Sequence, residues 1–300
     1  MDGADISTTL RRRMITLDGR GPGQMAVLEI GPRERPVDVV FLHANGFNAM
    51  TYRSILAPLA GRLRLLLVDQ RGHGATTLST EREGRASWYD LRDDLLALLA
   101  AENLSDVVLS GHSMGGTAGV LAAAVAPERV RSLRLFDPVV MTPMSSQSAD
   151  LGPLAQSPLV QGALKRRAVF PSRQAALEAY SGRGAFRTWP PESLADYVAG
   201  GFVDLPSGEV TLACEPAWEA SNFTSHGHDT LAAFRAVTAP IHILRASDNS
   251  TCRIDTIEAE LAATGRFHME TVPGTTHFLP MERPELVRAS LLEATGPALA

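Results

Sequence analysis

Gly111-His112-Ser113-Met114-Gly115-Gly116 decides how the rest of this chain is read. It lies between Val107–Leu109, an apolar run of strand character, and an apolar segment from Met114 to Val125 with helical composition. A chain that passes from strand straight into helix must turn sharply, and Gly111 and Gly115 provide the small neighbours such a turn needs. The turn lifts the Ser113 hydroxyl into the open. Behind it, a helix N-terminus offers backbone N–H groups and a positive dipole end to a developing oxyanion. G-x-S-x-G alone carries little; between a strand and a helix it marks a candidate nucleophile.

Outward from this turn, strands and helices alternate. Met14–Leu17 and Met25–Ile30, joined by Asp18-Gly-Arg-Gly-Pro-Gly23, read as a hairpin. Val37–Leu42 and Leu63–Val68 are continuous apolar runs suited to strands buried on both faces, with a helical spacing over Met50–Leu63 between them. Trp88–Ala101 is an amphipathic helix, and Leu133–Phe136 is a further strand. The alternation stops after Phe136 and resumes with Ile241–Leu244, a helix near Thr256–Ala263, a strand His268–Val272 and a last helix from Pro284. Between lie mainly helical pieces: Pro153–Val169, Ser172–Tyr180, Glu192–Val198 and Glu215–Phe223. The expected fold is α/β, a mostly parallel sheet with helices on both faces. The core covers residues 1–138 and 237–300, and 139–236 form an inserted helical cap.

Composition narrows the function. The 300 residues are 45% hydrophobic and 20% charged with net charge −5, so no basic field points to nucleic acid or anionic membrane. Arg11-Arg12-Arg13 and Lys165-Arg166-Arg167 read as solvated surface. Cys214 and Cys252 lack the spacing of a metal site or a disulfide framework, and buried reduced thiols are expected. Met1–Arg13 has no apolar core of a secretory signal, and no stretch is long enough to span a membrane. A cytoplasmic enzyme, monomer or homodimer, is expected.

Several of these stretches resemble known ones. Gly111–Gly116 is similar to the nucleophile elbow of the α/β-hydrolases, and Asp69-Gln70-Arg71-Gly72-His73-Gly74 is similar to the structural D-x-R-G-H-G turn of that superfamily. Pro273-Gly-Thr-Thr-His277-Phe-Leu-Pro-Met-Glu-Arg-Pro284 resembles its histidine loop and the following helix. The resemblance implies an α/β-hydrolase fold and a Ser-His-Asp set working without a cofactor or metal.

A serine hydroxyl needs a neighbour to take its proton. Of eight histidines, His277 follows the last strand in a glycine-containing loop, and the order Ser…His fits. The acid is open between two aspartates. Asp137 ends the strand Leu133–Phe136, which resembles the alternative acid position of the family, and it is preferred. Asp248 follows Ile241–Leu244, where many members carry the acid, but Arg245-Ala-Ser-Asp-Asn249 would put Asn249 in that register.

Oxyanion donors are expected from the Met114 N–H and from the loop His43-Ala-Asn-Gly-Phe-Asn48. That loop resembles an H-G-x segment with Phe47 supplying the N–H, or Asn45 or Gly46 under a shifted register. Within the resemblance, a serine at the elbow argues against epoxide hydrolases and haloalkane dehalogenases, which carry aspartate there. The expected reaction is hydrolysis of a carboxylic ester, lactone or thioester. Carbon–carbon bond hydrolysis, cofactor-free haloperoxidation and a non-catalytic receptor of the same fold are the alternatives. Aromatic residues of the cap, among them Tyr180, Phe186, Trp189, Tyr197, Trp218 and Phe223, suggest an apolar pocket roof and a small to medium hydrophobic carbonyl substrate.

Overall fold

A computed structural model describes residues 10–141 and 152–296. The first six strands are β1 Leu10–Ile15, β2 Met25–Ile30, β3 Val39–Leu42, β4 Leu65–Asp69, β5 Val107–His112 and β6 Val130–Phe136. Three short ones follow in the insertion: β7 Val169–Phe170, β8 Phe202–Asp204 and β9 Val210–Leu212. β10 Ile241–Ala246 and β11 Phe267–Val272 complete the set. The main sheet runs β1-β2-β4-β3-β5-β6-β10-β11, with β2 antiparallel to both neighbours and every pair from β4 to β11 parallel. This is an α/β-hydrolase fold.

The continuous apolar runs form strands because both faces are covered. Along β3, Val40 and Leu42 belong to one buried cluster, together with Leu95 and Leu98 of α1 (Tyr89–Ala101) and Val120 of α2 (Met114–Ala123). Val39 and Phe41 point into the other, with Tyr52 and with Val287 and Leu291 of the C-terminal helix Pro284–Thr295. Each fully buried aliphatic side chain of this kind contributes about 1.5–3 kcal/mol. The expected helix over Met50–Leu63 is instead three short turns, Ala49–Tyr52, Arg53–Leu56 and Ala57–Leu59. Pro58 has no N–H to donate and crowds the preceding turn.

The insertion leaves the sheet after β6 and returns at β10. Its longer helices are α3 Pro158–Leu164, α4 Arg173–Tyr180, α5 Pro191–Gly200 and α6 Pro216–Thr224. It is not wholly helical: β7, β9 and β8 form a small antiparallel sheet. The next helix, α7 Thr230–Ala236, was expected in the cap. Phe234 there is fully buried in the same cluster as α1 and α2, so α7 packs with the core and the insertion ends nearer residue 229. The part of the expected cap at 142–151 lies outside the described residues. No described helix is long and apolar enough to cross a membrane.

Candidate active site

Ser113 sits between β5 and α2 with φ 55 and ψ −122, a backbone conformation that costs a residue with a Cβ about 1–3 kcal/mol. Close packing holds it there. A Cβ added at Gly115 would stand 2.4 Å from the Leu42 carbonyl oxygen, and one at Gly111 would stand 2.6 Å from the backbone of Gly115. Gly115→Ala is therefore expected to lower stability by about 2–4 kcal/mol in urea denaturation, because rigid backbone rather than a side-chain tip must yield. A loss below 0.5 kcal/mol would contradict this packing.

Three parts of the chain converge on that hydroxyl. His277 Nε2 is 2.9 Å from Ser113 Oγ, and His277 Nδ1 is 2.6 Å from Asp137 Oδ2. Asp137 is wholly buried at the end of β6. It also accepts hydrogen bonds from the Ala246 N–H at 3.0 Å, the Ser250 hydroxyl at 2.6 Å and the Thr251 N–H at 3.1 Å. Burial pushes its carboxyl up, but the bonds and charge of His277 with those of Ser250 and Ala246 outweigh this and hold it below the usual range. Asp248 is elsewhere: it is exposed and pairs with the Ser247 hydroxyl, while its N–H goes to the Thr275 carbonyl. Of the two candidate acids, only Asp137 meets His277. Ser250 and Thr251, which position Asp137, were missed by the sequence reading; the short run Asp248-Asn-Ser-Thr251 after β10 was the available signal.

A buried relay ties the histidine loop to the loop after β3. His112 Nε2 is 2.7 Å from the His277 carbonyl oxygen, so it carries the proton, and Nδ1 accepts from the Tyr52 hydroxyl at 2.7 Å. Tyr52 in turn accepts the Ala44 N–H at 3.2 Å. His112 is fully buried, and burial and the nearby His277 keep it neutral well below its ordinary range. Burial likewise depresses His43, and lowers His73 to about 4 and His228 to about 3. Such groups take up protons near pH 6.5 only when unfolded, so their contribution is complete above that pH and is lost as pH falls towards the folded values. Stability to urea is expected to drop between pH 7.5 and 5, by up to about 1.4 kcal/mol per pH unit for each such histidine. A midpoint that holds constant over that range would contradict it.

The loop after β3 corrects one expectation. The Phe47 N–H donates to the Ala44 carbonyl at 3.1 Å, and the Gly46 N–H donates to His73 Nε2 at 3.1 Å. Neither remains for a ligand. The Asn45 N–H donates to no group among the described residues, and neither does the Met114 N–H at the start of α2. A four-residue turn from Ala44 to Phe47 absorbs the amide that the sequence register singled out. His73 serves the fold, as its motif implies, by supporting Gly46. Helix α6 of the insertion clamps Asn45: the Asn45 side-chain N–H₂ donates to the Glu219 carbonyl at 3.0 Å, and its side-chain carbonyl accepts from Asn222 at 2.8 Å.

Above Ser113 and His277 lies a cavity of about 910 Å³, lined by Asn45, Phe47, Trp88, Met114 and Phe278 from the core. The cap contributes Tyr180, Phe186, Tyr197 and Phe223. Trp189 and Trp218 pack behind the lining; the Trp218 indole N–H donates to the Arg71 carbonyl at 2.9 Å. Arg166, read as surface, turns inward and lines the cavity with Glu219. Among the described residues no group of three or more His, Cys, Asp or Glu stands together as a metal site.

Fold and site together define a hydrolase. A profile of the alpha/beta hydrolase family matches residues 39–290, and the chain belongs to that family. It is 28% identical over 268 residues to a 2-(acetamidomethylene)succinate hydrolase of Mesorhizobium japonicum, covering 83% of this chain and 84% of that one. A shorter match, 35% identical, joins 32% of this chain to 35% of a pimeloyl-[acyl-carrier protein] methyl ester esterase of Aeromonas hydrophila. The crystal structure of an E-2-(acetamidomethylene)succinate hydrolase superposes with TM-score 0.76 over 96% of this chain and all of that one, at 22% identity. An esterase from Thermogutta terrifontis superposes with TM-score 0.67 over 94% and 97%, at 21% identity. At those identities the two structures speak for the fold alone.

Proposed function

We propose that this protein hydrolyses an ester-type bond, in a carboxylic ester, lactone or thioester, of a small to medium hydrophobic carbonyl compound. The reading rests on one observation above others: Ser113 Oγ, His277 and Asp137 are linked in line at 2.9 and 2.6 Å. In this mechanism His277 Nε2 takes the proton as Ser113 Oγ bonds to the carbonyl carbon. Asp137 keeps the other proton on Nδ1 and stabilises the imidazolium. The oxyanion is received by the N–H groups of Met114 and Asn45, each worth about 3–4 kcal/mol to such a transition state. His277 returns its proton to the leaving group, and water then releases the acid by the same steps in reverse roles.

The cavity size suits a compound of this class, and its walls are mostly apolar. Two buried free thiols, Cys214 and Cys252, fit a reducing, cytoplasmic setting. The test pairs a fluorophosphonate with panels of esters, lactones and thioesters. One-to-one labelling of Ser113 and turnover of at least one panel is the expected result. Stoichiometric labelling without turnover of any carbonyl compound would identify a ligand receptor instead.

A further inference from the structure

We propose that the cavity recognises a neutral donor–acceptor group on the substrate, a carboxamide or N-acyl amide, through Arg166 and Glu219. The proposal rests on the hydrolase reading of the same cavity and adds what else its substrate carries. Arg166 follows α3, and its Nη1 is 2.5 Å from Glu219 Oε2 of α6 while its Nη2 is 2.6 Å from the Tyr197 hydroxyl. The two side chains are 19% and 11% exposed, and both line the cavity that holds Ser113. The next residue, Arg167, instead lies over the Phe170 ring.

Placing an ion pair on an apolar wall costs desolvation energy that the pair alone does not return. What the pair leaves open indicates a use. A guanidinium has five N–H donors, and these two bonds employ two of them. Glu219 Oε1 accepts no hydrogen bond among the described residues, although it lies against the Gly46 backbone, 2.6 Å from where a Cβ would stand. Beside Arg166, the buried Tyr180 hydroxyl stands at the same wall. The wall therefore offers donors and an acceptor side by side, next to the Asn45 loop, with no net charge.

An amide matches that arrangement: its carbonyl accepts from Arg166 and its N–H donates to Glu219. A carboxylate would bring a second anion up to Glu219 in a poorly screened site, which selects against it. The other cationic side chain on the lining, Arg183, is at the exposed rim, where water screens it.

The test uses two esters of equal heavy-atom count, methyl 5-amino-5-oxopentanoate and monomethyl glutarate, titrated calorimetrically into Ser113→Ala. The amide is expected to bind at least tenfold tighter. Adding Glu219→Gln, which preserves shape, should shift the ratio at least tenfold towards the carboxylate; adding Arg166→Gln should weaken the amide at least tenfold. Equal binding, tighter carboxylate binding or no measurable binding of either ester with Glu219 intact overturns the proposal, whatever the variants do. So does a ratio unmoved by folded Glu219→Gln. Turnover of the ester, lactone and thioester panels by the unmodified protein reads the hydrolase proposal separately: an amide preference without turnover of any panel member would sink ester cleavage and leave this recognition standing.

Discussion

Replacing Ser113 with alanine is expected to lower kcat/KM on any substrate of this protein by at least ~10⁴-fold and to leave the fold intact. The size follows from what remains. In the proposed mechanism the oxyanion donors and the cavity still bind substrate, but no atom can form the acyl bond, and His277 has nothing to deprotonate. Stability should hardly change, because the strain at φ 55 belongs to the Cβ, which alanine keeps, and the Ser113 hydroxyl has one partner among the described residues, His277. Ser113→Gly separates the two effects: it should be equally inactive yet about 1 kcal/mol more stable, since glycine relieves the strain. Initial rates and thermal melts on the three proteins decide the matter. A loss of less than tenfold in Ser113→Ala would end the covalent mechanism.

The second large effect is expected at Asp137. Asp137→Asn should cost about 10⁴-fold in kcat, because a carboxamide cannot both hold the proton on His277 Nδ1 and stabilise the imidazolium. Stability should also suffer. The aspartate oxygens accept from His277, the Ala246 N–H, the Ser250 hydroxyl and the Thr251 N–H, so an N–H₂ group in either place meets a donor. An unsatisfied buried pair of this kind costs about 1–3 kcal/mol. Asp248→Asn is the matched control. Its side chain is exposed and, among the described residues, bonded only to the neighbouring Ser247, so kcat/KM should stay within about twofold. A crippled Asp248→Asn beside an active Asp137→Asn would reverse the assignment of the acid.

Features set by local physics could be read from the sequence. The buried strands show as continuous apolar runs, and the elbow shows because only glycine fits where Gly111 and Gly115 lie against backbone. His277 shows through its loop and its place in the chain. Features set by distant contacts could not. As text the two aspartates differ by a one-residue offset in register that favours Asp137, and the pairing of β6 with β10 is what brings Ala246, Ser250 and Thr251 around it. Phe47 was preferred over Asn45 because the amide spent on the Ala44 carbonyl is invisible without the turn. The small sheet of the insertion is not legible in the sequence because its strands are two or three residues long, although Val210-Thr-Leu212 after the turn at Gly208 carries β-branched residues. Arg166 sits in a run of three basic residues, a pattern usually solvated, and its burial depends on Glu219 from another helix.

The clamp on Asn45 limits how freely this lid can be exchanged for another. Both halves of one carboxamide are gripped from the same helix, by the carbonyl of residue 219 and the side chain of residue 222, three positions further along. A transplanted lid that brought new specificity without that pair would leave the loop beneath it to find another shape. Chimeras of this scaffold should therefore succeed or fail according to whether the donor helix keeps an amide side chain at the equivalent of 222, rather than according to how well the new lid folds.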